Sequence, residues 1–315
     1  MSKRTDERRN SRRSKDPAAL VDKLSMRRLV HQHLQVLDTP RSLAIFIIMK
    51  NTEAGCGFDD EIVGLTCDPL SYCDSESFRK DYEATELVRK WTGLVLSWDP
   101  EDKAWEKFQE AEAQCAETNR RLRLGSDVDS SLLQYCDRMK RHLKNLLGPV
   151  TNSLLDSCVS KGGWGKGVTS SCKGMWLTEY HKLEAEPQAT RSFATLADVI
   201  YNDELVPIRI PERRREIGIV RGSTLQFVPK DARSHRSIAV EPSINLYLQR
   251  GIGRSIATRL RRRWNLNLQS QERNQEMARV GSIDGSFATI DLSSASDTIS
   301  YALVEQFLPD DWVSL

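Results

Sequence analysis

The sequence predicts an α+β fold, and three observations carry that prediction. Helix start and stop signals follow one another up to about residue 204. Beyond that point the pattern changes to short runs that suit strands. Near the end, the run Ala288-Thr289-Ile290 is closed by one carboxylate, Asp291, and a helical pattern follows. With 315 residues the chain is long enough for about two domains and a sizeable hydrophobic core.

Residues 1–16 are basic, polar and Ser-rich and read as a disordered arm. Residues 17–204 read as a mostly helical region. Asp16 is placed as an N-cap with Pro17 at the first helical position, where the missing N–H has no partner to lose. The stretch 51–73, rich in Gly, Asp and Cys, reads as loop. Phe78, Tyr82 and Trp91 share one helical stripe. Asp99-Pro100-Glu101-Asp102 opens a further helix, with acids at the positive end of its dipole. Arg120, Arg121 and Arg123 lie at its other end and Gly125 caps it. Trp105 and Phe108 on that helix are expected in the core. A helix from Val128 to Leu147 is stopped by Gly148-Pro149.

Residues 205–282 form the next segment. Glu216–Val220 and Thr224–Val228 read as a hairpin around Arg221-Gly222-Ser223. A helix is expected from Pro242 to about Trp264, then a short one over 271–279 with Ser270 as cap and Gly281 as stop. Residues 283–315 open with a strand, Phe287–Ile290, and continue into a helix that ends near Leu308.

Composition excludes several classes. Hydrophobic residues make up 39% and charged residues 29%, too apolar for a chain disordered throughout. The longest apolar run, Leu43–Met49, is far short of the roughly 20 residues of a membrane span, so no membrane partner is expected. Seven cysteines, an odd number without a C-x-x-C pair, argue against a disulfide framework and against zinc. They read as reduced cysteines of an intracellular protein. The net charge of +2 conceals an asymmetry. From Arg209 to Arg263, fourteen Lys or Arg face four Asp or Glu, a balance of +10, and the remainder carries −8. Such a block points to a polyanion, either nucleic acid or a nucleoside triphosphate. The Gly-rich run Lys161–Gly167 is no P-loop, because Gly167 is followed by Val168-Thr169 rather than Lys-Ser/Thr. It reads as a flexible loop able to touch an RNA backbone.

Three sets of residues suit one chemistry. A carboxylate at a strand's carboxyl end, such as Asp291, can present a rigid ligand to a hard cation. Nucleotidyl transfer uses two Mg²⁺ ions about 4 Å apart, one activating the attacking hydroxyl and one the leaving pyrophosphate. Asp297 lies six residues on and could accept a hydrogen bond from a ribose 2′-hydroxyl. Lys230, Arg233 and Arg236 offer cations for a triphosphate, with Glu241 placed to pair with one of them. Arg254, Arg259 and Arg262, in the helix after Pro242, suit a wall along an RNA backbone. At this level an RNA-binding protein without catalysis and a reverse transcriptase stay open as alternatives.

The order of these motifs is specific. Val228-Pro229-Lys230, Ile238-Ala239-Val240-Glu241-Pro242, Asn245 and Gly251-Ile252-Gly253 precede Gly281-Ser282 and the long run Ala288–Asp297. In this the chain resembles the replicase beta chains of the single-stranded RNA bacteriophages, the levivirus RNA-directed RNA polymerases. Ala104–Phe108, Ala111–Ala113 and Thr118-Asn119 also look like that family. The resemblance implies a right-hand polymerase with fingers over 205–282 and the start of the palm over 283–315. It makes Asp291 the first catalytic aspartate and a Mg²⁺ ligand, joined by the backbone carbonyl of Leu292, in an enzyme that uses two such ions. Lys230, Arg236 and Arg233 would bind the nucleotide and Asp297 would sense its ribose. It implies an RNA template and product, nucleoside triphosphates, and the cytoplasm of a bacterial host. Host elongation factors Tu and Ts and a ribosomal protein are the implied partners. A Gly-Asp-Asp motif occurs nowhere, and Phe58-Asp59-Asp60 is the nearest string. The chain is therefore expected to be a partial replicase, without the rest of the palm and the thumb, and inactive alone.

Overall fold

The computed structural model describes residues 17–125, 128–174, 177–195, 200 and 216–315, with side chains from residue 26 onward. The arm 1–16, its N-cap Asp16, and the basic residues Arg209 and Arg213–Arg215 lie outside the described residues. The chain divides into two compact units. One comprises residues 1–106 and 227–237, the other 107–226 and 238–315.

The first unit is mainly helical, and residues 227–237, the tip of a strand hairpin, belong to it as well. α1 spans Pro17–Leu37, α2 Pro40–Glu53, α3 Asp60–Val63 and α4 Ser75–Lys90. α2 starts where Thr39 and Ser42 cap each other's backbone N–H, with Pro40 at the first position. Leu34, Ile45, Met49, Ile62, Ala84 and Val88 are buried together and knit α1–α4 into one core. The stretch 51–73 is therefore less irregular than its composition predicts. Asp59 is wholly buried within it. It accepts the Val95 amide at 2.8 Å and lies 3.5 Å from the Arg27 guanidinium. The nearest string to Gly-Asp-Asp thus contributes a structural carboxylate. Arg27 also donates to the Met49 carbonyl at 2.8 Å.

The second unit is α+β. α5 runs Pro100–Leu124, across the boundary of the two units, and ends at Gly125 with φ +63°. α6 (Ser130–Leu147) ends at Gly148 with φ +66°, as its Gly-Pro stop predicts. α7 (Asn152–Ser160) and α8 (Glu179–Glu184) follow. β1 (Gln188–Thr190) pairs in parallel with β2 (Gly218–Val220), Ala189 opposite Ile219. β3 (Thr224–Pro229) pairs with β4 (His235–Val240), and a connection as short as residues 230–234 permits only an antiparallel hairpin.

This corrects the expected pairing. Residues 216–220 do not fold back on 224–228. β2 instead completes a ladder begun some thirty residues earlier at β1, and β3 takes β4 as its neighbour. Strand identity is local, but partner choice is not.

α9 (Ser243–Trp264) is the central element of this unit. Its first turns are buried against β1. Ser243 Oγ accepts the Gln188 amide at 3.0 Å. Asn245 accepts the Thr190 amide at 3.0 Å and donates to the Thr190 hydroxyl at 2.9 Å. Gly251 lies where a β-carbon would strike the Cys158 carbonyl, so this glycine sets how closely α9 and α7 approach. The Gly-rich run 161–167 is packed rather than loose. Trp164 is 2% exposed, donates to the Ser243 carbonyl at 2.8 Å and meets the Tyr247 ring at a tilt of 56°, centroids 4.9 Å apart. Lys182, fully buried, donates to the Gly165 carbonyl, and burial lowers its pKa.

α10 (Glu272–Asp284) runs past its predicted stop. Gly281 lies inside it, and Gly285, at φ +71°, is the C-cap. α11 (Tyr301–Phe307) and α12 (Asp310–Val313) close the described chain. Asn119 of α5 accepts the Ala302 amide at the start of α11. Trp312 is buried against Leu147, Leu154 and Cys158, and its indole donates to the Gly148 carbonyl at 2.8 Å. In the first unit, Trp105 is 45% exposed, contrary to its core expectation, and meets Phe227 edge-on at 6.0 Å.

Candidate nucleotide and nucleic-acid site residues

Lys230 and Arg233 lie in the loop that joins β3 to β4, and Arg236 lies in β4. All three are exposed. What fixes the loop is Asp231, which the sequence reading passed over. Its carboxylate is 6% exposed and accepts the amides of Arg233 and Ser234 at 2.9 and 3.1 Å. Burial by itself would raise its pKa. The two amides and the positive charges of Arg233 and Lys230 outweigh burial and hold it below the usual carboxylate value. Asp231 and Ser234 spell an Asx-type turn, and that signal was present in the sequence.

Two residues of the first unit, to which this loop itself belongs, anchor it further. The Ala232 amide donates to the Arg89 carbonyl at 2.9 Å, and Trp98 Nε1 donates to the Arg233 carbonyl at 3.1 Å. Arg233 lies 3.6 Å from Asp231. Glu241, placed by sequence as a cation partner, forms no ion pair among the described residues. Its carbonyl accepts the Ser170 amide instead. The hairpin tip thus presents Lys230 and Arg236 without a paired carboxylate among the described residues.

Asp291, Leu292 and Asp297 lie on an irregular, exposed segment. The expected strand Phe287–Ile290 does not form. A strand needs a neighbour to take its amides and carbonyls, and no described residue supplies one. Ile290 is 83% exposed and Leu292 69%, so no described residue covers either side chain. Residues 293–298 make turns, with Ser294 at φ +53° and the Thr298 amide bonded to the Ser294 carbonyl. Cys115 lies 3.4 Å from the Asp297 carbonyl. The Asp291 carboxylate makes no hydrogen bond or ion pair among the described residues. No three His, Cys, Asp or Glu side chains cluster as metal ligands among those residues. The described residues by themselves therefore do not assemble a two-ion centre.

The arginines of α9 are held by main-chain oxygens rather than by carboxylates. Arg254 donates to the carbonyls of Lys161 and Gly162 at 2.6 and 2.7 Å. Arg259 donates to the Leu147 carbonyl at 2.8 Å and lies 5.5 Å over the Trp312 ring. Arg263 donates to the Asn145 carbonyl. Arg262 makes no hydrogen bond or ion pair among the described residues.

Residues 65–315 match the family model of the RNA replicase beta-chain. The chain belongs to that family. It is 35% identical over 249 residues to the RNA-directed RNA polymerase subunit beta of Enterobacteria phage SP, covering 76% of this chain and 41% of that protein. To the corresponding subunit of Qbeta virus strain MX1 it is 33% identical over 271 residues, 81% of this chain and 43% of the relative. To the beta chain of Escherichia phage MS2 it is 34% identical over 286 residues, covering 88% and 49%. The chain thus spans less than half the length of these relatives. Within this replicase family member, several residues that carry the resemblance have structural work: Asn119 caps α11, Asn245 clamps β1, and Gly251 admits α7. No helix among the described residues is long and apolar enough to cross a membrane.

Proposed function

We propose that this chain is part of a viral RNA-directed RNA polymerase of the right-hand type, which copies an RNA genome from nucleoside triphosphates inside an infected bacterium. The observation that carries the reading is the replicase beta-chain match over residues 65–315, which includes the ordered motifs around Lys230 and Asp291. Residues 205–282 serve as fingers and 283–315 as the opening of the palm. Asp291, with the Leu292 carbonyl, contributes to a Mg²⁺ site whose other ligands come from outside the residues described. Lys230, Arg236 and Arg233 receive the triphosphate. Their support is a rigid hairpin tip that holds cationic side chains in the open. Asp297 selects the ribose. Arg254, Arg259 and Arg262 follow the RNA backbone. Host elongation factors Tu and Ts and a ribosomal protein belong to the same proposal.

The test is primer extension with Mg²⁺, labelled nucleotides and host factors. It compares the 315-residue chain, a chain extended to the length of its relatives, and that extended chain carrying Asp291→Asn. Synthesis by the extended chain alone is expected. Asn keeps the shape of the side chain and removes its charge, so activity should fall at least a hundredfold, about the scale of losing one aimed electrostatic group. An extended Asp291→Asn chain with full activity would remove the central assignment. In the extended chain, Lys230→Ala or Arg236→Ala should mainly weaken nucleotide use.

A further inference from the structure

Helices α7 and α9 leave a cavity of ≈ 310 Å³ between them. Its walls carry four cations, Lys161, Arg259, Arg262 and Arg263, and hydroxyls that include Ser153 and Ser157. No Asp or Glu lines it. The spacing explains the wall on each side. Residues 153, 157 and 161 recur one turn apart along and just beyond α7, and 262 and 263 each lie about one turn after 259 on α9.

Two features make this more than a basic surface. Arg259 and Arg263 are oriented by neutral carbonyls of α6, at Leu147 and Asn145, so their positions are set while their charges stay uncompensated. Arg262, between them, has no partner among the described residues. Four like charges around one cavity repel each other, and the arrangement is relieved by an anion. The hydroxyls add neutral donors suited to phosphate oxygens.

We infer that this groove binds consecutive phosphodiesters of an RNA strand, a subsite that adds Lys161 and Arg263 to the proposed backbone wall. The inference rests on the polymerase reading for the identity of the polyanion. RNA is favoured over a nucleoside triphosphate because a triphosphate travels with a divalent ion, and that ion takes carboxylate oxygens the groove does not offer. Arg254 stands apart from the groove, stapled to the Lys161 and Gly162 carbonyls. It fixes the backbone of Lys161 itself and of Gly162.

The test measures binding of a labelled single-stranded RNA to the 315-residue chain across a salt series. Arg262→Ala removes no contact of the fold, so its melting curve should match that of the parent. Its salt slope should fall by about 0.7, and its affinity about fivefold at 0.1 M salt, the loss of one phosphate contact. Ser157→Asp, which puts a carboxylate into the groove, should weaken binding at least as much. Arg262→Lys should retain most of it. Arg279→Ala, whose guanidinium is already 2.7 Å from Glu276, should change nothing. Parent chain that binds RNA while Arg262→Ala and Ser157→Asp match it in affinity and slope overturns the groove and leaves the polymerase reading intact, because that reading fails only on synthesis. Absence of RNA binding by the parent at low salt also overturns it. Loss of Mg²⁺-nucleotide binding in Arg262→Ala with unchanged RNA binding overturns the choice of ligand.

Discussion

The hairpin tip at residues 230–234 and the segment 286–300 are both stretches of non-repetitive backbone that carry residues proposed for the reaction. They are held in different ways. The tip is fixed by one buried carboxylate, two of its own amides, and anchors on Arg89 and Trp98. The segment around Asp291 has exposed apolar side chains and unpaired strand-forming residues. A turn is solved by bonds within a few residues, whereas a strand is solved only by a neighbour. The cations proposed to receive the nucleotide are thus pre-positioned by local chemistry. The Asp291 carboxylate has no such local support among the described residues.

The largest way to break this contrast is at Asp231. Asp231→Ala removes a buried carboxylate and leaves the Arg233 and Ser234 amides without their acceptor, and should cost about 2–4 kcal/mol in chemical denaturation. Asp231→Asn keeps the accepting oxygen and should cost about 1 kcal/mol. Equal losses in the two variants would mean that the charge, not the turn, holds the loop.

Acid should loosen the tip and spare the Asp291 segment. His31, 4% exposed in the core of the first unit and edge-on to Phe46, has its pKa lowered chiefly by burial. Glu53 and Asp59 oppose that shift, and Lys50 and Arg27 reinforce it. The unfolded chain therefore takes up a proton more readily than the folded one. The stabilisation is fully present above the ordinary histidine pKa of about 6.5 and is lost as pH falls below it toward the folded value. Hydrogen exchange should show the Ala232 amide less protected at pH 5 than at pH 7, after correction for intrinsic rates. A His31→Phe variant should lose that part of the pH response. The amides of Phe287–Ile290 should be unprotected at both values.

Smaller effects are expected within the segment itself. A β-carbon on Gly281 would meet the backbone of Phe287, while alanine is worth about 1 kcal/mol over glycine inside a helix. Gly281→Ala should leave stability within about 1 kcal/mol and increase proteolytic cutting between 286 and 300. Asp291→Asn, at a side chain with no described partner, should change stability by less than about 0.5 kcal/mol in the 315-residue chain. Any larger change would show that the carboxylate already has a structural partner.

Much of the helical framework was legible because its signals are local. Asp99-Pro100 with Gly125, Gly148-Pro149, and the span from Pro242 to Trp264 all mark boundaries through caps, dipoles and proline geometry. The Asx turn at Asp231 is equally local, since its carboxylate meets amides only two and three residues on. The excess of arginine in α9 was plain in the residue count, as was the chain order of the Lys230 and Asp291 motifs. What the tertiary structure alone decided were matters of partnership. β1 rather than β3 pairs with β2, Gly281 falls inside a helix, and Trp164 turns a Gly-rich run into a packed wall. The α9 arginines divide between a staple at Arg254 and a groove at Arg259, Arg262 and Arg263. A residue's own conformational preference is written in its neighbours along the chain. The identity of the group it meets depends on segments far away in sequence, which no local pattern specifies.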